Sequence, residues 1–269
     1  MSETSPQALY RAGKLTEAVA AATNEVRAKP TDVPSRLFLG ELLLFAGDLE
    51  RADRQLDAVT SQDSDPQTAV SVASYRQLIR AEQARQAFFA EGAMPEFIDA
   101  PDDRMKLVLR ASIALREKNY NEARDLLNEA ESHFPALRGE CNGVPYEGLR
   151  DTDDLTATFF ELVAPNGKYF WLPMEKVVSI EFKPPQRARD LVWRRAQLTT
   201  RSGLETEAFF PALYAGSFRE TDQKLALGQL TDWRSESEGA PVRGFGQRTL
   251  LVGDNGQAFW DLQTLTIEV

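Results

Sequence analysis

The amino-acid sequence predicts an α+β fold, in which an N-terminal TPR-like (tetratricopeptide-like) α-α superhelix precedes a mostly antiparallel, β-rich C-terminal domain. Three observations support this class: a helical repeat in the first half, hairpin signals in the second half, and a change of pattern near residue 139. We therefore predict a helical repeat domain over residues 1–138 and a β-rich domain over residues 139–269. The 269 residues, of which 42% are hydrophobic, suffice to form a core in each.

The helical repeat has the period of a tetratricopeptide array. Residues 13–18 align with residues 47–52 at an offset of 34, and residues 118–123 form a third copy. Each copy begins with a turn and ends with an alanine that allows two helices to approach closely. Pro30 and Pro135 then stop the helix at equivalent places in two copies. An ordinary helical bundle with chance similarity is the alternative, but the joint recurrence of turn, alanine and stop favours the TPR-like interpretation.

One long helix is predicted between the second and third copies. Residues 66–91 carry apolar side chains at helical spacing, and Gly92 and Pro95 follow them as a stop signal. This stretch lacks the turn of the other copies, so the array is irregular there.

The second half carries the signals of β-hairpins. Asn166-Gly167 separates residues 156–163 from residues 169–172, and Asn255-Gly256 separates residues 248–252 from residues 258–262. Asn-Gly between apolar runs favours a tight turn because both residues tolerate positive φ. Further strands are predicted over residues 177–182, 191–199 and 265–269.

Composition argues against several classes of protein. The net charge of −10 argues against nucleic-acid binding, which needs clustered lysine and arginine. The single cysteine, Cys141, excludes an intramolecular disulfide. The N-terminal residues lack the basic flank and apolar core of a signal peptide, and the apolar run at residues 42–46 is too short to span a bilayer. We expect a cytoplasmic protein with no membrane partner.

The sequence contains few of the residues and motifs from which catalytic sites are built. His133 is the single histidine, so with one cysteine the usual zinc sites cannot be assembled. A Ser-His-Asp or Cys-His arrangement would have to use His133, and no nucleophile motif such as Gly-x-Ser-x-Gly occurs. We therefore expect no enzyme activity, no catalytic residues and no cofactor. The alternative is a metal-dependent enzyme in which Asp151, Asp153 and Asp154 supply oxygen ligands to Mg²⁺ or Ca²⁺. Capping of a turn and a strand entry is the competing role for this cluster, and it is favoured because the glycine and distal glutamate of a calcium loop are missing.

An ordered series of short motifs lies in the second half, over roughly residues 140–250. The motifs are Arg150-Asp151-Thr152-Asp153, Phe160-Glu161-Leu162, and residues 167–173, 184–185, 189–193, 210–214, 228–233 and 244–248. This series, in this order, resembles the ImpE family, also called TagJ or SciE-type.

The resemblance implies an accessory protein of the bacterial type VI secretion system. Family members are described as binding TssB, the small subunit of the contractile sheath, through a helix near the N-terminus of that subunit. A link to sheath recycling by the ATPase ClpV is also implied, and no catalytic residues are attributed to the family.

A groove along the first helix of each predicted pair could hold such a partner helix. The TPR alignment places seven residues on this groove: Tyr10, Arg11, Glu41, Leu44, Phe45, Ser112 and Leu115. A purely structural role for Leu44, Phe45 and Leu115 in the core is the alternative. A scaffold that joins several partners through its two halves is a further possibility.

Overall fold

The computed structural model describes residues 4–62 and 65–269, which form eight α-helices and fourteen β-strands. Seven helices precede residue 133: α1 (Pro6–Arg11), α2 (Leu15–Ala28), α3 (Val33–Phe45), α4 (Leu49–Thr60), α5 (Pro66–Glu91), α6 (Asp103–Arg116) and α7 (Tyr120–Ser132). The eighth, α8 (Gln223–Ala226), lies among the strands.

A single short strand, β1 (Glu96–Phe97), lies among the helices. The other strands are β2 (Arg138–Cys141), β3 (Val144–Glu147), β4 (Leu149–Asp151), β5 (Phe159–Val163), β6 (Tyr169–Pro173), β7 (Val177–Phe182), β8 (Trp193–Thr200), β9 (Glu205–Pro211), β10 (Thr231–Arg234), β11 (Arg243–Gly246), β12 (Thr249–Val252), β13 (Asn255–Ala258) and β14 (Thr264–Thr266).

The three aligned copies form three helical hairpins, α1/α2, α3/α4 and α6/α7. Each hairpin turns on a residue with positive φ: Gly13 at 78°, Gly47 at 68° and Lys118 at 62°. The turns share one hydrogen-bond pattern, in which the residue with positive φ donates its N–H to a carbonyl three residues earlier. The geometry that the three turns share explains why these copies align. The alanine at the end of each copy is fully buried.

Helix α5 confirms the predicted long helix at residues 66–91. Asp65 caps its first turn by accepting hydrogen bonds from the N–H groups of Gln67 and Thr68, and Pro66 occupies the first helical position. Gly92 ends it with a φ of 82°. The helix packs against β5 and β6, and this contact joins the two halves of the chain.

The C-terminal half is built on a nine-stranded sheet in the order β1-β6-β5-β9-β8-β7-β14-β2-β3. Its neighbours are antiparallel except for β1, which pairs with β6 in parallel. Two smaller sheets, β10-β11 and β13-β12-β4, lie beside it. The α+β class is therefore confirmed.

The predicted hairpins are present, with one shift. β5 and β6 pair around Asn166-Gly167 as predicted. In the second hairpin Val252 pairs with Asn255, so the turn consists of Gly253 and Asp254, and the prediction of a turn at Asn255-Gly256 is wrong. Gly253 supplies the positive φ of 58° that the tight turn requires.

The strand predicted over residues 191–199 begins later, at Trp193. Ala188–Leu191 forms a 3₁₀-helix instead. The carboxylate of Asp190 explains the difference, because it accepts hydrogen bonds from the N–H groups of Gln186 and Arg187 and so closes a turn before the strand.

The main apolar core includes side chains from both halves of the chain. Phe88 of α5 packs edge-on against Trp171 of β6, with ring centroids 4.8 Å apart, and Trp171 stacks on Phe159 of β5 at 4.1 Å. A second core lies within the β-rich half. The division at residues 138 and 139 stays a prediction. None of the described helices is long and apolar enough to cross a membrane.

Candidate partner-binding cleft

A cleft of about 390 Å³ opens where the helices meet the β-rich half, and we call it the junction cleft. Its apolar lining includes Leu44 and Phe45 of α3, Phe89 of α5, Leu115 of α6 and Leu213. The charged side chains at its rim are Arg116, Lys118, Arg219, Glu220, Glu236 and Arg243. The combination of an apolar lining and a charged rim is typical of a recognition site.

Close contact at the α3–α4 turn closes one side of the junction cleft. Phe218, in the 3₁₀-helix Ser217–Arg219, lies so close to Gly47 that a Cβ at position 47 would be 2.3 Å from the phenyl ring. Gly47 also has a positive φ, so both its conformation and its surroundings require glycine.

A buried network of charges lies beneath the cleft and ties α5 to the sheets. Arg85 of α5 donates to Glu161 of β5 at 2.8 Å and to Glu82 at 3.1 Å. Arg248 bridges Glu161 to Asp151, and its bond to Asp151 is 2.7 Å long. All five side chains are less than a tenth exposed, so each charge needs its partner.

Aromatic side chains complete this network. The hydroxyl of Tyr169 donates to Glu161 at 2.5 Å, and Tyr214 donates to Asp151 at 2.8 Å. The indole of Trp193 donates to Glu82 at 3.1 Å. These bonds add donors to the three carboxylates and fix the positions of the aromatic side chains, of which Trp193 and Tyr214 line the cleft.

The two carboxylates bridged by Arg248 have opposite pKa shifts. Burial favours the neutral form of Glu161, but Arg85 and Arg248 outweigh it and hold its pKa at about 2. Burial raises the pKa of Asp151 to about 6, because Arg248 offsets the burial only in part and Asp153 adds a like charge. Glu161 is therefore the permanently charged centre of the network.

The aspartates considered as metal ligands are engaged with protein donors. Asp153 accepts hydrogen bonds from Arg243 and from the N–H groups of Leu155 and Gly244. Asp154 accepts from Arg150 and from the N–H of Val242. Within the part of the chain that the structure describes, no three His, Cys, Asp or Glu side chains are grouped so as to hold a metal ion. These contacts favour the capping role for the cluster.

The residues predicted to face a partner do not share one surface. Leu44, Phe45 and Leu115 line the junction cleft together. Leu44 and Phe45 are also buried members of the main core, as the structural alternative for them has it, whereas Leu115 is partly exposed. Ser112 is buried and donates to the carbonyl of Leu109 at 2.6 Å.

Tyr10 and Arg11 lie at the end of α1, where Gln229 of the C-terminal half donates to the Tyr10 carbonyl at 3.2 Å. Tyr10 is partly buried against Phe38 and Phe45. Arg11 is exposed.

The groove expected along all the first helices is not open at Glu41. Its side chain is buried, because the 3₁₀-helix Ala188–Leu191 packs on α3 at this point. The nearest cation is Arg187, at 4.0 Å. The chain itself thus fills the groove beside Glu41, while the junction cleft stays open. A partner role for the seven residues stays a prediction.

Sequence reasoning did not identify Arg85, Glu161 and Arg248 as a unit. A signal was present, since Arg85 lies on the apolar face of α5 and Glu161 lies inside a strand whose five residues are all buried. A charge within such a run indicates a buried partner. The partners themselves are 76 and 87 residues from Glu161, so periodicity could not identify them.

Comparison with known proteins gives three findings. The family model described as ImpE protein matches residues 143–266. The type VI secretion system accessory component TagJ of Pseudomonas aeruginosa is 35% identical over 262 residues, which cover 97% of this chain and 90% of TagJ. The crystal structure of protein VPA1032 from Vibrio parahaemolyticus superposes with a TM-score of 0.89 at 25% identity, covering 98% of this chain and 97% of that one.

Proposed function

Because this chain belongs to the ImpE family, which includes TagJ, we propose that it is a non-enzymatic adaptor of a bacterial type VI secretion system. In this proposal it acts in the cytoplasm and binds the N-terminal helix of the TssB-type sheath subunit. A link to the ClpV recycling ATPase would then be indirect, through the sheath subunit.

The junction cleft is the observation that carries the proposal. It brings Leu44, Phe45 and Leu115 together beside aromatic side chains of the C-terminal half, and these are three of the residues expected to face a partner helix. Apolar side chains of an amphipathic helix are the usual occupants of such a cleft.

We also propose that the helical half is a degenerate TPR-like array and that residues 1–138 and 139–269 are its two units. The equivalent turns at Gly13, Gly47 and Lys118 support this proposal. The array is interrupted where α5 leaves the hairpin pattern and packs on the sheet.

The alternative function, a metal-dependent enzyme at Asp151–Asp154, has weaker support. The carboxylates of Asp151, Asp153 and Asp154 are each bonded to an arginine. A metal ion would have to displace these arginines and leave them without a partner.

Co-purification with the sheath subunit tests the adaptor function. We expect the intact TssB-type subunit to be retained, and a subunit without its N-terminal helix to be lost. Leu115→Asp should abolish retention, because a charge would enter the apolar lining of the cleft.

Ile113→Asp is the matched control. Ile113 lies on the same helix, is 46% exposed and does not line the cleft, so retention should be unchanged. Equal retention of the intact and truncated subunits would contradict the proposal.

A further inference from the structure

The rim of the junction cleft is basic, although the whole chain is acidic. The net charge of the chain is −10, yet five arginine and lysine residues and three glutamates line this cleft. Arg85 is paired with both Glu161 and Glu82 beneath it, Arg243 is paired with Asp153, and the rim residue Glu220 is paired with Arg234 outside the lining.

Three cations remain after these pairs are removed. Within residues 4–62 and 65–269, Arg116, Lys118 and Arg219 have no carboxylate within 4.0 Å, and Glu236 is the single unpaired acidic residue of the lining. An excess of positive charge at the mouth of a cleft attracts a segment of opposite charge and excludes basic segments.

The cations lie on opposite sides of the opening. Arg116 ends α6 and Lys118 follows it in the α6–α7 turn, whereas Arg219 belongs to the 3₁₀-helix Ser217–Arg219 of the C-terminal half. The Arg116 guanidinium lies 5.9 Å from the centroid of Phe88, and that of Arg219 lies 5.2 Å from the centroid of Phe218. Arg116 also donates one N–H to the carbonyl of Phe88 at 3.4 Å. These contacts hold the planar groups in place, and the other N–H donors of each guanidinium can bind a carboxylate.

The size of the cleft limits what enters it. Its 390 Å³ is near the lower end of the range for ligand pockets, about 300–1,000 Å³. A whole helix does not fit in this space, but one or two large apolar side chains from a helix do. Phe45 is 1% exposed, so the partly exposed Leu115 and Phe89 and the 5% exposed edge of Leu44 would contact these side chains. The cations would contact residues one helical turn away.

We propose that the junction cleft recognises an acidic amphipathic helix, with an apolar side chain inserted between Leu44 and Leu115 and flanking carboxylates paired with Arg116, Lys118 and Arg219. The inference rests on the proposed adaptor function and adds the chemistry by which the partner helix is selected. In this proposal the charges at the rim determine which helix is bound, and apolar contacts in the lining hold its inserted side chain.

A labelled peptide of the TssB N-terminal helix provides the test, with affinity measured by fluorescence anisotropy. We expect the Lys118→Glu/Arg219→Glu double variant to bind at least tenfold more weakly than the wild type. Both side chains are exposed, so the variant should keep its circular dichroism spectrum and its unfolding midpoint. Wild-type affinity should also fall as NaCl is raised from about 50 to about 300 mM, because salt screens rim charges.

The matched control is Arg27→Glu/Lys29→Glu, which makes the same change of net charge at the exposed end of α2, outside the cleft. Its affinity should stay within twofold of the wild type. An equal loss in both variants, or no loss in the rim variant, overturns the inference while the adaptor function stands. Failure of the wild-type protein to bind either the peptide or the intact subunit overturns the adaptor function, and this inference with it.

Discussion

At the scale of single residues, Lys118 is the exception among the three hairpin turns. It holds a φ of 62° at the position that glycine occupies in the other two copies. A side chain with a Cβ is disfavoured in this left-handed region by roughly 1–2 kcal/mol. The third turn therefore keeps its geometry at a cost in stability, and Lys118 keeps its position at the rim of the junction cleft.

Lys118→Gly should therefore stabilise the protein, by about 0.5–1 kcal/mol after the greater flexibility of glycine in the unfolded chain is subtracted. Urea unfolding followed by circular dichroism measures the change. Lys14→Gly is the control, since Lys14 follows the turn glycine of the first copy and has a negative φ of −103°. Stabilisation by both substitutions, or by neither, would refute this explanation.

At the scale of elements, α5 is anchored to the sheet by charge as well as by apolar packing. Arg85 lies between Glu82 on its own helix and Glu161 on β5 and has 4% of its surface exposed. Its removal would leave two buried carboxylates with a single remaining cation, Arg248, beside Glu161. The loss of one partner from a buried ion pair costs about 3–5 kcal/mol.

We thus expect Arg85→Leu to destabilise the protein by about 3–5 kcal/mol in urea unfolding. Arg80→Leu changes an exposed arginine on the same helix and should alter stability by less than about 0.5 kcal/mol. The Arg85→Leu/Glu161→Leu double variant should be less destabilised than the sum of the two single variants. Strict additivity would show that the pair does not interact as described.

The elements that follow local rules were the ones that the sequence could predict. The span of α5 follows from Pro66 and Gly92, and the β5–β6 hairpin follows from Asn166-Gly167, because a few neighbouring residues determine each of them. The turn at Gly253 shows the limit of such rules, since Gly253-Asp254 forms the turn although the stronger Asn-Gly signal follows immediately after it.

The candidate site was less accessible to sequence reasoning. The TPR alignment placed Leu44, Phe45 and Leu115 on a partner groove, and the three line one cleft in the structure, but their role in binding stays a prediction. It could not show that Ala188–Leu191 would cover Glu41, or that Arg219 would line the same cleft as Lys118, because these segments are distant in the chain. Tertiary contacts of this kind leave no periodic signal.

At the scale of the whole molecule, the two halves meet at Glu41. Burial raises the pKa of this carboxyl to about 7, against an ordinary value of 4.5, although Arg189 and Arg187 favour its charged form. Asp190 adds a like charge, which raises the pKa further. The folded protein therefore holds a proton on Glu41 more tightly than the unfolded chain does.

The consequence is a fall in stability as pH rises. The contribution of Glu41 is fully present below about pH 4.5, is lost progressively up to about pH 7, and changes no further above that value. Glu41→Gln stays neutral throughout and should remove this loss, so it should be more stable than the wild type at pH 8 by about 1–3 kcal/mol.

Unfolding by urea at pH 4.5 and pH 8 measures this difference. We expect the stability gap between variant and wild type to widen toward pH 8. A gap that is equal at both pH values would mean that Glu41 does not titrate in this range.

Because both halves of the chain contribute to the main core, the N-terminal helices cannot complete their packing until the second half has been synthesised. Gly47 leaves the ribosome 171 residues before Phe218, which is the side chain that covers it, since 218 − 47 = 171. At a synthesis rate of roughly 5–20 residues per second, the interval is about 9–34 s. During that interval Gly47 lacks Phe218, and Phe88 lacks Trp171 for part of it, so we expect the nascent helices to expose apolar surface until β6 and the 3₁₀-helix Ser217–Arg219 have been made.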